Sequence, residues 1–255
     1  MSDTNLKTSK DLDLDLFSGK HTAGKVSFNN TSANDFLSTE AYKALRTNIL
    51  FLGTDIKTIL LTSHQENEGK STTSTELAKS LAEIDKKVLL VDADLRKSVM
   101  QPKSTQGKTF FGLSEILSNQ CSADEAIYST QHENFDVLFS GNFPPNPVEL
   151  LGSKRFGALL NSLRDCYDYI IIDSPPLGYV IDAAVIASVC DGAIFVISEG
   201  VVSIREAQKA KLQIEKSGCK MLGVVLNDVQ MKHKALYAKY KKRGYGYYGT
   251  TTYEE

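Results

Sequence analysis

A doubly wound α/β fold, with helices on both faces of a mostly parallel sheet, is the architecture this sequence predicts. Three observations carry it. Six short apolar segments at 58–62, 88–91, 135–139, 169–172, 193–197 and 221–226 are nearly unbroken by polar residues, as strands buried on both faces must be. Helix-forming stretches at 70–84, 111–119, 153–166, 181–190 and 203–217 lie between them, the alternation expected of a parallel sheet with crossover helices. Acidic residues stand where several apolar segments end, at the strand ends where such folds place their sites.

The first strand, Ile59-Leu60-Leu61-Thr62-Ser63, runs into His64-Gln65-Glu66-Asn67-Glu68-Gly69-Lys70-Ser71-Thr72 and then a helix. Strand, tight loop and helix start form the context in which Gly-Lys-Ser becomes a phosphate loop. Backbone N–H groups and the helix N-terminus face anionic phosphates, Lys70 spans the β- and γ-phosphates, and Ser71 ligates magnesium. Glu68, Gly69, Lys70, Ser71 and Thr72 are the expected nucleotide contacts. His64 stands where the first glycine of the pattern is usual, so Asn67, tolerant of left-handed backbone, is expected to do a glycine's work.

Val88-Leu89-Leu90-Val91-Asp92-Ala93-Asp94 places two carboxylates at the second strand's end, and Ile170-Ile171-Ile172-Asp173 places a third at another. Carboxylates facing a phosphate loop hold Mg²⁺ directly or through water, and one accepts a hydroxyl proton during transfer. Ser71, Asp92 and Asp173 are the expected metal set. Asp92 is the first choice as base and Asp94 the second, on one face if the strand geometry persists.

Six of the eleven tyrosines fall in the last nineteen residues: Tyr237, Tyr240, Tyr245, Tyr247, Tyr248 and Tyr253. Tyrosine rings normally find a core, and this stretch has none to offer. Alone it reads as a sticky tail; beside a phosphate loop it reads as a set of phosphate acceptors. Residues 229–255 carry six Lys or Arg and two Glu, a net +4, so phosphorylation would reverse the tail's charge.

The remaining composition bounds the answer. The 255 residues are 42% hydrophobic and 24% charged, enough for one large domain. A net charge of −2 gives no global pull toward nucleic acid, and none is expected as a partner. Cys121, Cys166, Cys190 and Cys219 lack metal-like spacing and read as reduced thiols in the cytoplasm. The chain divides into a polar arm (1–35), a body (36–228) and a basic tail (229–255). The arm, with Asp11-Leu12-Asp13-Leu14-Asp15-Leu16, is expected to be extended and docked on the body's edge. A helix is expected from Ser38 or Thr39 as N-cap, with Tyr42, Leu45, Ile49 and Leu52 inward.

Over residues 36–255 the sequence resembles the bacterial tyrosine kinases of the capsular and exopolysaccharide type, in their stand-alone Gram-positive form. These are relatives of the partition ATPases with a P-loop fold. The phosphate loop, Asp92-Ala93-Asp94-Leu95-Arg96-Lys97 as a second Walker A-like motif and Ile170 to Pro176 as Walker B carry the resemblance. So do Ser140-Gly141, Pro144-Pro145-Asn146-Pro147 and Leu222 to Asn227. It implies ATP and Mg²⁺ as cofactors and autophosphorylation of the tail. It also implies a ring-like homo-oligomer contacting through Glu40, Lys43 and Arg46, and Asn227 as an adenine contact. A membrane-embedded polysaccharide co-polymerase-type adaptor that recruits the kinase to the membrane, and a cognate tyrosine phosphatase, are the implied partners. Two departures stand out: Glu66-Asn67 replaces the family's usual Pro-Gly, and Lys43 replaces the commoner arginine. Two other classes fit the residues, a partition-type ATPase switch and a nucleotide-dependent docking module without kinase activity.

Overall fold

The computed structural model describes residues 17, 23–27, 36–100 and 110–229. The tail tyrosines and Asp11 to Leu16 lie outside them. Helix α1 (Phe36–Leu50) precedes β1 (Thr58–Ser63), α2 (Lys70–Ala82), β2 (Val88–Asp92), α3 (Leu113–Leu117), β3 (Ile127–Ser129) and β4 (Phe135–Leu138). Then follow α4 (Pro147–Leu151), α5 (Lys154–Arg164), β5 (Tyr169–Asp173), α6 (Asp182–Ala187), β6 (Gly192–Ser198), α7 (Ile204–Lys216) and β7 (Lys220–Asn227). The seven strands form one sheet in the order β3-β4-β2-β5-β1-β6-β7. Every neighbouring pair is parallel except β3–β4. The chain steps outward from β1 to β2 and later returns across β1 to β6, so the order reverses around β1, where an open α/β sheet leaves its crevice.

The two faces follow from side-chain alternation along each strand. Ile59, Leu61, Leu90, Ile171 and Ile194 point to a core shared with Leu77, Ala78 and Leu81 of α2 and Ile49 of α1. Leu60, Leu89, Val91, Ile172 and Phe195 point to the other, filled by Phe156, Leu159, Leu160 and Leu163 of α5 with Ile186 of α6 and Ile214 of α7. The α5 residues recur at helical spacing, and the Ser153 hydroxyl caps its start by accepting the Phe156 N–H at 3.3 Å. In α7, Ser203 and Glu206 close a capping box.

Three expectations need correction. The α1 helix begins at Phe36, so Ser38 and Thr39 fall within its first turn, where N–H groups still need partners outside the helix. Strand β3 and helix α4, missing from the sequence reading, are three and five residues long, too short to show a period. Arg46, which the resemblance groups with Glu40 and Lys43 as an outward oligomer contact, turns instead onto α2. Its Nη1 donates to the Ser80 carbonyl at 2.7 Å and lies 3.5 Å from Glu83, at the C-terminus of α2, because a cation there meets carbonyls the helix leaves free. Glu40 and Lys43 form an intrahelical pair at 2.8 Å. The inward stripe holds: Ile49 is buried, with Leu45 and Leu52 packed against the same core. The described part of the arm also lies on the body. The Val26 N–H donates to the Ser129 carbonyl at 2.9 Å and the Ser129 N–H to the Gly24 carbonyl at 3.1 Å, a parallel bridge onto the end of β3, and Phe17 stacks on Tyr167 at 6.2 Å.

The start of β1 is pinned by Asp191. Its Oδ2 accepts the N–H groups of Lys57 at 2.9 Å and Thr58 at 2.7 Å, and both oxygens accept from Arg164 at 2.9 and 2.8 Å. Asp191→Ala leaves two strand-end N–H groups and a guanidinium without this acceptor. It should cost about 2–3 kcal/mol in denaturant unfolding, with the m-value unchanged.

Candidate active site

The loop between β1 and α2 is shaped from within. Asn67 has φ 63° and Gly69 φ 81°, both left-handed. Asn67 therefore takes the backbone role that a glycine commonly fills. At Gly69 a Cβ would lie 2.0 Å from Asn227 Nδ2, so any side chain in this left-handed position would have to push the Asn227 amide off the loop. The Asn227 amide donates to the Glu68 carbonyl at 3.0 Å, bracing the loop from the end of β7. Glu68 is 1% exposed, and its carboxylate accepts the N–H of Gln65 at 2.6 Å and of Ser198 at 3.4 Å. Its side chain thus holds the loop together, and what it can offer a nucleotide is backbone. His64 lies 3.7 Å from Glu206.

Gly69 ends the loop and α2 starts at once with Lys70, with no acidic residue in its first turn. The positive end of α2 therefore opens on the crevice with no acidic side chain of its own first turn beside it. Lys70 Nζ lies 3.1 Å from Asp173 Oδ1, and the Ser71 hydroxyl donates to Asp173 Oδ2 at 2.6 Å. The Ser74 hydroxyl adds a bond at 3.1 Å to Oδ1. One carboxylate at the end of β5 thus gathers three groups from the first two turns of α2.

Asp92 and Asp173 are register partners on adjacent strands β2 and β5. Asp92 is 1% exposed. Burial first, and the neighbouring Asp173 second, push its carboxyl up to about 7, against the Ser98 hydroxyl and the Asp94 N–H, which favour its charge. The expected shared face of Asp92 and Asp94 does not form. The strand ends at Asp92, and the chain turns so that Asp92 accepts the Asp94 N–H at 3.1 Å. Asp94 in turn accepts the N–H groups of Arg96 at 3.1 Å and Lys97 at 2.9 Å. Short carboxylate side chains bonding to following N–H groups compete with the strand, which explains the early end.

A crevice of about 390 Å³ opens above these groups, lined by Gly69, Lys70, Ser71, Asp94, Lys97 and Asp173 among others. Asp92 sits behind that lining. Glu66 and Lys97 pair at 2.7 Å across its mouth. Sequence reasoning missed Ser74, Ser98 and the Glu66–Lys97 pair; a lone serine one helical turn from a motif carries no signal of its own. Among the described residues no three His, Cys, Asp or Glu are grouped to cage a metal ion. The Ser71 hydroxyl beside the Asp173 carboxylate is instead a hard-oxygen pair of the kind that suits Mg²⁺ together with phosphate oxygens. Strand β7 ends at Asn227, against the phosphate loop, so the tail starts at the edge of the crevice. No helix among the described residues is long and apolar enough to cross a membrane.

An AAA domain family model matches residues 56–226. Over 205 residues the chain is 44% identical to the tyrosine-protein kinase CpsD of Streptococcus agalactiae, covering 80% of this chain and 89% of that protein. The chimerical protein CapA2B2, a solved structure, is 33% identical with a TM-score of 0.69, over 87% of this chain and 99% of the other. The septum site-determining protein MinD of Pyrococcus horikoshii, solved with Mg-ADP, is 26% identical with a TM-score of 0.55, over 67% and 70%. Its resemblance reaches the partition-type ATPase fold, whereas the kinase likeness runs through nearly the whole of the relative's length. The chain belongs to the bacterial protein-tyrosine kinases built on a P-loop ATPase fold.

Proposed function

We propose that this kinase phosphorylates the tyrosines of its own C-terminal tail, between subunits of a homo-oligomer, and that the modification regulates capsular or exopolysaccharide synthesis. The observation that carries the reading is the meeting of Lys70, Ser71, Asp173, Asp92 and Asp94 at the start of α2, beside the strand from which the tyrosine-rich tail emerges. ATP is the phosphoryl donor. The loop's N–H groups and the N-terminus of α2 would hold its phosphates, and Lys70, now on Asp173, would turn to meet them. Ser71 and, through water, Asp92 and Asp173 are the residues that would hold Mg²⁺, which supplies charge neutralisation for the phosphates. A tyrosine oxygen attacks the γ-phosphorus in line, the bond to the β-phosphate oxygen breaks, and a carboxylate takes the phenolic proton. Asp92 is the first choice for that proton and Asp94 the second. Positioning and electrostatics supply most of the rate.

The remaining expectations follow the same reading. Glu40, Lys43 and Arg46 are the proposed contact with a neighbouring subunit, for which the Glu40–Lys43 pair and the hold of Arg46 on Ser80 and Glu83 would both have to open. A membrane-embedded polysaccharide co-polymerase-type adaptor recruits the otherwise cytoplasmic protein, and a tyrosine phosphatase reverses the modification. Phosphates on six tyrosines would take the tail's charge from +4 to roughly −5 to −8. A tail so charged is repelled by a crevice that already holds three aspartates and a nucleotide.

Mixing tests the transfer between subunits. A Lys70→Met chain, combined with an active chain lacking residues 229–255, should gain phosphotyrosine on its tail, whereas Lys70→Met alone should gain none. Absence of label in the mixture moves transfer to within one chain. Asp92→Asn should reduce kcat more than Asp94→Asn, and the reverse order gives the base to Asp94.

The charge at Asp92 yields a second expectation, for the nucleotide-free protein. Its folded pKa of about 7 lies above the unfolded value near 3.8, so the folded state holds the proton longer. Stability from this group is fully present below about pH 4 and is lost as pH rises toward 7. Asp92→Asn should therefore raise the melting temperature at pH 8 by a few degrees, with the gain shrinking toward pH 4. A parent-like melting temperature at both pH values contradicts the charge crowding.

A further inference from the structure

Asp182 is a buried carboxylate outside the machinery described so far. Asp182, in the first turn of α6, is fully buried, and both of its oxygens are taken by one side chain. Arg96 Nε donates to Oδ1 at 2.8 Å and Nη2 to Oδ2 at 3.2 Å. This is the two-pronged geometry in which a guanidinium matches a carboxylate. Asp182 stands nine residues after Asp173, and Arg96 stands two residues after Asp94. The pair thus ties together the two chain segments that carry the site's carboxylates.

The tie bears directly on Asp94. Asp94 Oδ1 is held by the N–H groups of Arg96 and Lys97, so its orientation is set by the turn that Arg96 closes. That turn follows β2, whose last residue Asp92 faces Asp173 across adjacent strands; like charges side by side push the two segments apart. Beyond the strand ends the ladder adds the bond from Ala93 N–H to the Asp173 carbonyl at 2.8 Å. The Arg96–Asp182 contact is a second fastening, placed on the far side of Asp94. Asp182 is fully buried while Arg96 keeps 40% of its side chain exposed, so loss of the guanidinium strands the carboxylate without its only side-chain partner among the described residues.

We infer that Arg96 and Asp182 are a positioning pair for phosphoryl transfer, which holds the Asp94 turn against the segment that follows Asp173 and so sets the spacing of the site's carboxylates. This rests on the kinase reading for the reaction being positioned, and on the distances above for the pair itself. The phosphate loop is braced separately, by Glu68 and Asn227. Loss of the pair therefore misplaces carboxylates without dismantling the nucleotide cradle.

The test uses the full chain with Asp182→Asn, Arg96→Gln, both together, and Arg96→Lys, each shown to be folded by its melting transition. Expected is a fall in kcat for tyrosine phosphorylation of roughly 10- to 100-fold for either single change, with the Kd for ADP in the absence of metal within about threefold of the parent. The double variant should be no worse than the worse single, since the two act as one. Arg96→Lys, keeping charge but losing the fork, should recover only part of the loss. Parent-like kcat in folded Asp182→Asn, additive losses in the double variant, or a Kd that worsens in step with kcat would each overturn the inference. A parent that releases phosphate without making phosphotyrosine would sink the kinase reading instead, and the same split would then be read on ATP hydrolysis.

Discussion

Two carboxylates side by side at the ends of adjacent strands set the terms for everything around them. Asp92 and Asp173 are paired in register on β2 and β5 and are almost completely buried. Both cannot be charged there without compensation, since burial and mutual repulsion act in the same direction. The surroundings divide the compensation. Asp173 receives Lys70, Ser71 and Ser74 from α2, whereas Asp92 receives the Ser98 hydroxyl and one backbone N–H and keeps a raised pKa. Negative charge crowded at the N-terminus of a helix and answered by one lysine is the electrostatic setting on which the proposed binding of Mg²⁺ and nucleotide phosphates rests.

The sheet is what forces those carboxylates together. Strands buried on both faces need apolar side chains throughout, so the first polar residue appears where a strand emerges from cover. In β2 and β5 that residue is an aspartate, and parallel pairing brings the two ends to one level. The reversal of strand order around β1 leaves the crevice above them. Asp191 fixes where β1 begins, and the loop at its other end is braced by Glu68 and Asn227. The geometry of the crevice is therefore held by contacts at both ends of one central strand.

Much of this was legible in the sequence, for reasons that can be named. The six apolar segments are strands within about a residue at each end, because two-sided burial leaves an unbroken apolar run. Asn67 was expected in left-handed backbone and has φ 63°. What escaped was either too short or tertiary. Strand β3 has three residues, and no period can be read from three. The turn after Asp92 depends on side chain to backbone bonds that override an apparently extended Asp-Ala-Asp. Arg46 looked like a surface residue because only the packing of α1 on α2 gives it the Ser80 carbonyl. Glu68 sits in the motif as if for the nucleotide, yet its carboxylate faces Gln65 and Ser198, a role visible only once β6 is beside the loop.

The fold is shared with ATPases that release phosphate to water, so the crowded carboxylates alone do not decide where the phosphoryl group goes. The difference proposed here is the acceptor: a tail that follows closely on Asn227, the strand end that braces the phosphate loop, and carries six tyrosines among basic residues. The most direct measurement is mass spectrometry of the intact chain after incubation with ATP, with and without Mg²⁺. The account predicts phosphotyrosine within residues 237–253 that requires the metal. Free phosphate without phosphotyrosine, or no reaction at all, would contradict it.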